Sequence, residues 1–195
     1  MNIAAGVGIN LTICSGYTAL SRHYAAGDKI LLFGFSRGAY AVRSLAGMIG
    51  RIGLPKAEHM TSQRVQRAFR HYENDRNGPR ATGFSRSYCH RGVEIEMVGV
   101  WDTVKALGLP YPLLNRIAPM ATEFHDHRLG PSIANAFQAL ALDETRRAYK
   151  PILWECVPGW EGRVEQLWFP GTHSDIGGQI EDFQQARPLS NIPLV

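Results

Sequence analysis

The sequence predicts an α/β fold with a mainly parallel sheet and flanking helices, and three observations carry the prediction. A continuous apolar run, Lys29–Phe35, reads as a strand buried on both faces. Helical patterns lie on either side of it. Two further strand patterns follow at long intervals, Val93–Trp101 and Val164–Phe169, too far apart for hairpins.

The elements follow in order. Residues 9–25 carry Ile9, Ile13, Tyr17, Leu20 and Tyr24 at helical spacing, and Gly27 stands where a C′ residue would stop the helix. The strand Lys29–Phe35 comes next, then a sharp turn. Residues 37–50 return to helix composition, with Ala39, Ala41, Val42, Leu45, Ala46 and Ile49. Residues 60–73 form a polar amphipathic helix. Residues 74–92, rich in Gly, Asn, Arg and Ser, read as a surface loop. The strand Val93–Trp101 alternates at first and is then wholly apolar. Residues 106–131 hold four prolines and read as an irregular excursion with short helices, a candidate lid or cap. Ser132–Leu142, small and apolar, reads as a helix. Val164–Phe169 is the third strand.

Composition bounds the function. The chain has 195 residues, 45% apolar and 19% charged, which suits one domain with a sizeable core. A formal charge of +4, with no basic run longer than Arg146-Arg147, favours anionic surfaces such as lipid headgroups. It is too small and dispersed for nucleic acid. Cys14, Cys89 and Cys156 are far apart and form no CxxC, which argues against a disulfide framework and for a reducing compartment at synthesis. No apolar stretch approaches the ~18 residues of a membrane span. The first 25 residues lack the basic and apolar regions of a secretory signal, so localisation reads as cytoplasmic at synthesis, with export by a signal-independent route open.

Gly34-Phe35-Ser36-Arg37-Gly38 fits G-x-S-x-G between a strand and a helix. That context asks for a nucleophilic serine on a strained turn, with glycines where side chains would clash. The following helix aims its N-terminus at the reaction centre, and the Arg37 N–H is placed to donate to an oxyanion. The bland alternative is an ordinary strand–helix turn with Ser36 as N-cap. A serine nucleophile needs an imidazole base and an orienting carboxylate, in this fold in the chain order Ser, Asp/Glu, His, each at a strand's C-terminal end. Asp102 follows the second strand directly, and His173 stands four residues past the third. Asp175 is the rival acid, but two residues from His173 it reaches the far ring nitrogen only through a tight turn.

The other histidines fit less well. His23, His59 and His71 lie in helix patterns and His90 in the polar loop. His125 and His127 make a short cluster that would suit a metal, without a third ligand at a recognisable spacing. Arg37 would either draw an anionic substrate or make a salt bridge. Asp28 reads as a helix-end turn residue and Asp143 as a surface helix residue. Tyr40 reads as packing and Arg43 as surface.

With these segments in place, the sequence resembles the α/β-hydrolase-type catalytic domain of type VI secretion phospholipase effectors, the Tle-one-like family. The matching stretches are "YAAGDKILLFGFSRGAYAVRSLAGMIGRIGL", "VGVWDTVKALGLP", "SIANAFQALALDETRRAYKPILW" and "LWFPGTHSDIGG", in the family's order over residues 24–178. The resemblance implies Ser36 as nucleophile, Asp102 as acid and His173 as base. It implies hydrolysis of phospholipid acyl esters without a cofactor or metal, peripheral membrane contact, and a secretion-system or immunity partner. Family members carry a further strand with an Asp-Gly-Thr turn upstream of the region matching "AAGVGIN". The resemblance therefore implies a single, partial catalytic domain over 1–195 that lacks N-terminal strand(s). The function expected is a serine esterase. Its alternatives are a catalytically inactive fragment or interaction module that keeps the motifs, and a metal-dependent hydrolase built on His125 and His127.

Overall fold

The computed structural model describes residues 3–74, 78–104 and 128–178. Helix α1 (Ile3–His23) leads into strand β1 (Ile30–Phe35), which turns sharply into α2 (Arg37–Ile52). A 3-10 turn, Ala57–His59, precedes α3 (Ser62–Asn74) and α4 (Pro79–Tyr88). Then come β2 (Ile95–Trp101), the short β3 (Arg128–Leu129), β4 (Ile133–Ala141), a 3-10 turn at Arg147–Tyr149, the short β5 (Glu155–Cys156), β6 (Arg163–Phe169) and α5 (His173–Ile176).

Among the described residues the main sheet has the order β1-β2-β4-β6, and every neighbouring pair is parallel. Each new strand is added on the same side of the last. Right-handed crossovers in such a progression all run over one face of the sheet. The packing agrees. Ile13 and Tyr17 of α1, Ala39, Leu45 and Ile49 of α2, Val65 and Ala68 of α3, and Phe84 of α4 share one buried cluster with Ile30, Leu32, Val98 and Ala136. Leu129 of β3 and Trp154, just before β5, belong to the same cluster, and β3 pairs with β5 in parallel. The opposite face carries Leu31, Phe33 and Leu167, each about half exposed.

Three expectations fail here. Residues 132–142 are not a helix: β4 occupies Ile133–Ala141, hydrogen-bonded on both sides to β2 and β6. Its alanines favour a helix in isolation, but two strands pairing with it override that preference. Within residues 74–92, α4 replaces much of the expected loop, with Pro79 at the first turn, where its missing N–H costs nothing. Its fully buried residues are Ala81 and Phe84, spaced one turn apart, with Tyr88 packing partly buried beside them. Helix α1 also stops at His23, so Gly27 does not cap it. With φ 99° Gly27 instead serves the turn into β1, where Asp28 N donates to Ala25 O at 3.0 Å. Asp28 is the turn residue expected: its Oδ2 accepts from Ala25 N at 2.8 Å. Of the proline-rich excursion, residues 105–127 lie outside the described residues, including His125 and His127, and its end forms β3.

Arg43 corrects another expectation: it is 6% exposed rather than on the surface. Its guanidinium lies 4.8 Å from the Trp154 ring centre and donates to Ile152 O at 2.6 Å and Leu153 O at 3.2 Å. It ties α2 to the β4–β6 connection and satisfies the Leu153 carbonyl, while sharing that of Ile152 with Gln138 Nε2. Tyr40 is buried, as packing requires.

Candidate active site

The site is assembled at the C-terminal ends of the sheet strands. Between β1 and α2 the chain reverses within one residue, and Ser36 takes φ 56° and ψ −118°. Such a backbone in a non-glycine residue costs about 1–3 kcal/mol and persists only where the surroundings hold it. Ser36 N donates to Trp101 O at 3.0 Å, and Tyr40 N donates to Ser36 O at 3.2 Å. Gly34 shows why the turn needs a glycine. A Cβ there would lie 2.5 Å from the carbonyl of Gly38 and 2.6 Å from Ala39 N, in backbone that cannot yield locally. The Ser36 side chain makes no capping hydrogen bond to α2, so the N-cap alternative does not describe it.

Its Oγ instead lies 2.8 Å from His173 Nε2. The other ring nitrogen, Nδ1, lies 2.6 Å from Asp102 Oδ2. With that carboxylate accepting, Nδ1 carries the proton and Nε2 is left to accept from the Ser36 hydroxyl. Asp102 directly follows β2 at φ 42° and is fully buried. Its backbone N donates to Ala139 O at 2.8 Å, and its Oδ1 accepts from Ala141 N at 3.3 Å, so β4 fixes the carboxylate's orientation. The His173 ring packs against those of Phe35 and Tyr149, each ring centre 4.7 Å away, at interplanar angles of 32° and 49°.

His173 comes from the far edge of the sheet. After β6 the chain turns back across the end of β4. Ile176 clusters with Ala139 and Ala141 of β4, and Gly177 sits on the Phe35 ring of β1 with no room for a side chain. The segment 170–178 is thus a strap over the sheet's end. His173 opens α5 rather than standing in an open loop. Arg37, the first residue of α2, is exposed, and its backbone N–H lacks an intrahelical acceptor by position.

The family model described as "T6SS, Phospholipase effector Tle1-like, catalytic domain" matches residues 1–195. The chain belongs to this family. The uncharacterized protein YEL023C of Saccharomyces cerevisiae is 31% identical over 160 residues, covering 75% of this chain and 21% of that protein. The chain therefore spans about a fifth of that relative's length. A solved structure of the Tle1 effector bound to the VgrG spike from the type 6 secretion system aligns with a TM-score of 0.42 at 23% identity, over 84% of this chain and 28% of that one.

The remaining candidates in this Tle1-like domain take other roles. Asp175 belongs to a capping box: its Oδ2 accepts from Thr172 N at 2.7 Å and Thr172 Oγ1 at 2.8 Å, which starts α5 and leaves Asp175 turned from the imidazole's Nδ1. Asp143, expected on a surface helix, follows β4 and accepts from Gly171 N at 2.6 Å. His59 ends a 3-10 turn, and the His90 ring meets Tyr24 edge-on at 5.0 Å. Among the described residues no group of three or more His, Cys, Asp and Glu converges as a metal site, and no helix is long and apolar enough to cross a membrane. Glu144 was missed. Its side chain is 3% exposed, and its Oε2 accepts from His173 N at 3.2 Å and from Arg146 Nη2 at 2.6 Å. The signal was present: Glu144 lies three residues past a strand, but that strand reads as helix in the sequence.

Proposed function

We propose that this chain carries the catalytic centre of a serine carboxylic-ester hydrolase acting on phospholipid acyl esters. The observation that supports it is the unbroken relay from Ser36 Oγ through His173 to Asp102, with both hydrogen bonds at 2.8 Å or less. Such a relay makes a serine hydroxyl nucleophilic at neutral pH. In the reading, Ser36 Oγ attacks the ester carbonyl while His173 Nε2 takes its proton. The tetrahedral oxyanion accepts from the Arg37 N–H, at the positive end of α2. Collapse expels the lipid alcohol, protonated by His173, and leaves an acyl group on Ser36. Water, deprotonated by the same imidazole, releases the fatty acid. Asp102 holds the ring and stabilises the imidazolium throughout. No cofactor enters.

Family membership supports a lipid substrate and delivery through a secretion-system partner, and we propose an immunity protein as a second partner. The exposed Arg37 beside the nucleophile suits an anionic headgroup at a membrane surface.

The first test is labelling with a fluorophosphonate probe, which reacts only with an activated serine. Labelling is expected in the wild type and absent from Ser36→Ala. A folded wild type that does not label would refute the serine mechanism. Release of fatty acid from phosphatidylcholine vesicles then tests the substrate class.

A further inference from the structure

We infer that Glu144, Arg146 and Tyr149 form a brace that positions the His173 imidazole, an inference that rests on the serine-hydrolase reading above. The four residues close a circuit. The His173 backbone N–H donates to Glu144 Oε2 at 3.2 Å. Arg146 grips the same carboxylate with its side chain, Nε to Oε1 at 2.8 Å and Nη2 to Oε2 at 2.6 Å, and with its backbone N–H at 2.8 Å. The Arg146 guanidinium lies 4.1 Å from the centre of the Tyr149 ring. Tyr149 closes the circuit on the His173 ring at 4.7 Å.

The circuit holds His173 at both ends. Glu144 fixes its main chain, and Tyr149 and Phe35, with ring centres 4.7 Å away, pack against its ring. Asp102 holds a single ring nitrogen, which leaves the imidazole free to rock about that bond. The two ring contacts restrict that rocking. The brace has its own foundation, because the segment after β4 is zipped to the loop after β6. Leu142 N donates to Phe169 O at 2.9 Å, and Asp143 N to Gly171 O at 3.0 Å, before Glu144 reaches His173. A bidentate arginine–carboxylate pair adds geometric specificity as well as strength to such a strut. The short 3-10 turn at Arg147–Tyr149 presents the tyrosine from the same segment.

A brace acts on catalysis through geometry, so its loss should appear in turnover rather than in substrate binding. A misplacement of about 1 Å in a reacting group costs on the order of 10²-fold. The experiment uses p-nitrophenyl butyrate as substrate, with active sites titrated by the fluorophosphonate so that rates refer to folded, reactive molecules. Glu144→Ala and Tyr149→Leu are expected to lower kcat by about 10- to 100-fold with KM within about threefold. Tyr149→Phe, which keeps the ring, is expected to restore most of the rate. Arg146→Met changes a side chain that is 53% exposed, so it leaves the fold intact and reports on the brace if Glu144→Ala does not fold. The inference is overturned if Tyr149→Leu and Arg146→Met keep wild-type kcat per titrated site while Ser36→Ala is dead. Activity surviving in Ser36→Ala instead overturns the serine reading itself, and the brace with it.

Discussion

Replacing Gly34 with alanine perturbs a point where the backbones of β1 and α2 come close together. The new Cβ would lie 2.5 Å from the Gly38 carbonyl and 2.6 Å from Ala39 N. Ordinary contact begins at 3.4 Å, so the first turn of α2 must retreat by roughly 0.9 Å, the difference between the two distances. Overpacking of this kind typically costs about 1–3 kcal/mol. Ser36 links the two segments being pushed apart, so its Oγ moves from the 2.8 Å contact with His173 by a comparable amount. A shift of that size is worth about a 10²-fold loss of rate. Gly38→Ala is the control. A Cβ there meets nothing within 4 Å, and the residue is helical, so the change should be neutral or stabilise by up to ~1 kcal/mol. Urea midpoints measure the stability, and ester turnover with fluorophosphonate labelling rate measures the site. Equal behaviour of the two variants, or a Gly34→Ala protein with native stability and native rate, would refute the steric account of the turn.

Asp102→Asn keeps the size of the buried side chain but presents the wrong hydrogen-bonding group to His173 Nδ1; ester turnover should fall about 10⁴-fold, and a loss under tenfold would remove Asp102 from the relay. Arg43→Met strands the Leu153 carbonyl while Gln138 Nε2 still serves that of Ile152, so urea denaturation should record a loss of about 2–3 kcal/mol, against the view of Arg43 as a surface residue if the loss is under 0.5. Hydrogen bonding from Arg146 lowers the Glu144 carboxyl from 4.5 to about 2. A depressed carboxyl contributes stability above its ordinary value and loses it as pH falls through the folded one. Chemical-denaturation curves from pH 5 to 2 should therefore fall more steeply for the wild type than for Glu144→Gln, and parallel curves would contradict the strut.

What could be read from the sequence divides along a physical line. The turn at Ser36 is local: an apolar run, two glycines and a helical pattern lie within some twenty residues, so motif and context read together. The positions of Asp102 and His173 at the sheet's end were legible because each follows a strand pattern that ends on apolar or aromatic residues, Val100-Trp101 and Leu167-Trp168-Phe169. Strand β4 was not legible. Alanine at 134, 136, 139 and 141 favours a helix, and only pairing with β2 and β6, distant in sequence, makes it a strand. That single misreading hid Glu144, since a carboxylate after a helix has no claim on the sheet's end. Helix α4 escaped because it buries only two residues, and Arg43 because an arginine buried for its backbone partners looks like any solvent-facing one.

Strands β1 and β6 lie at opposite margins of the four-stranded sheet, three inter-strand spacings or ~14 Å apart. Ser36 follows one and His173 comes after the other, and only the strap 170–178 brings them within hydrogen-bonding distance. On the proposed serine mechanism, activity is therefore a tripwire for the fold. Detaching β6 from β4 parts His173 from Ser36 while the helical core over β1 and β2 still stands. The probe-reactive fraction of a preparation then measures how many molecules have the whole sheet zipped, and should vanish at lower denaturant than the helical signal does.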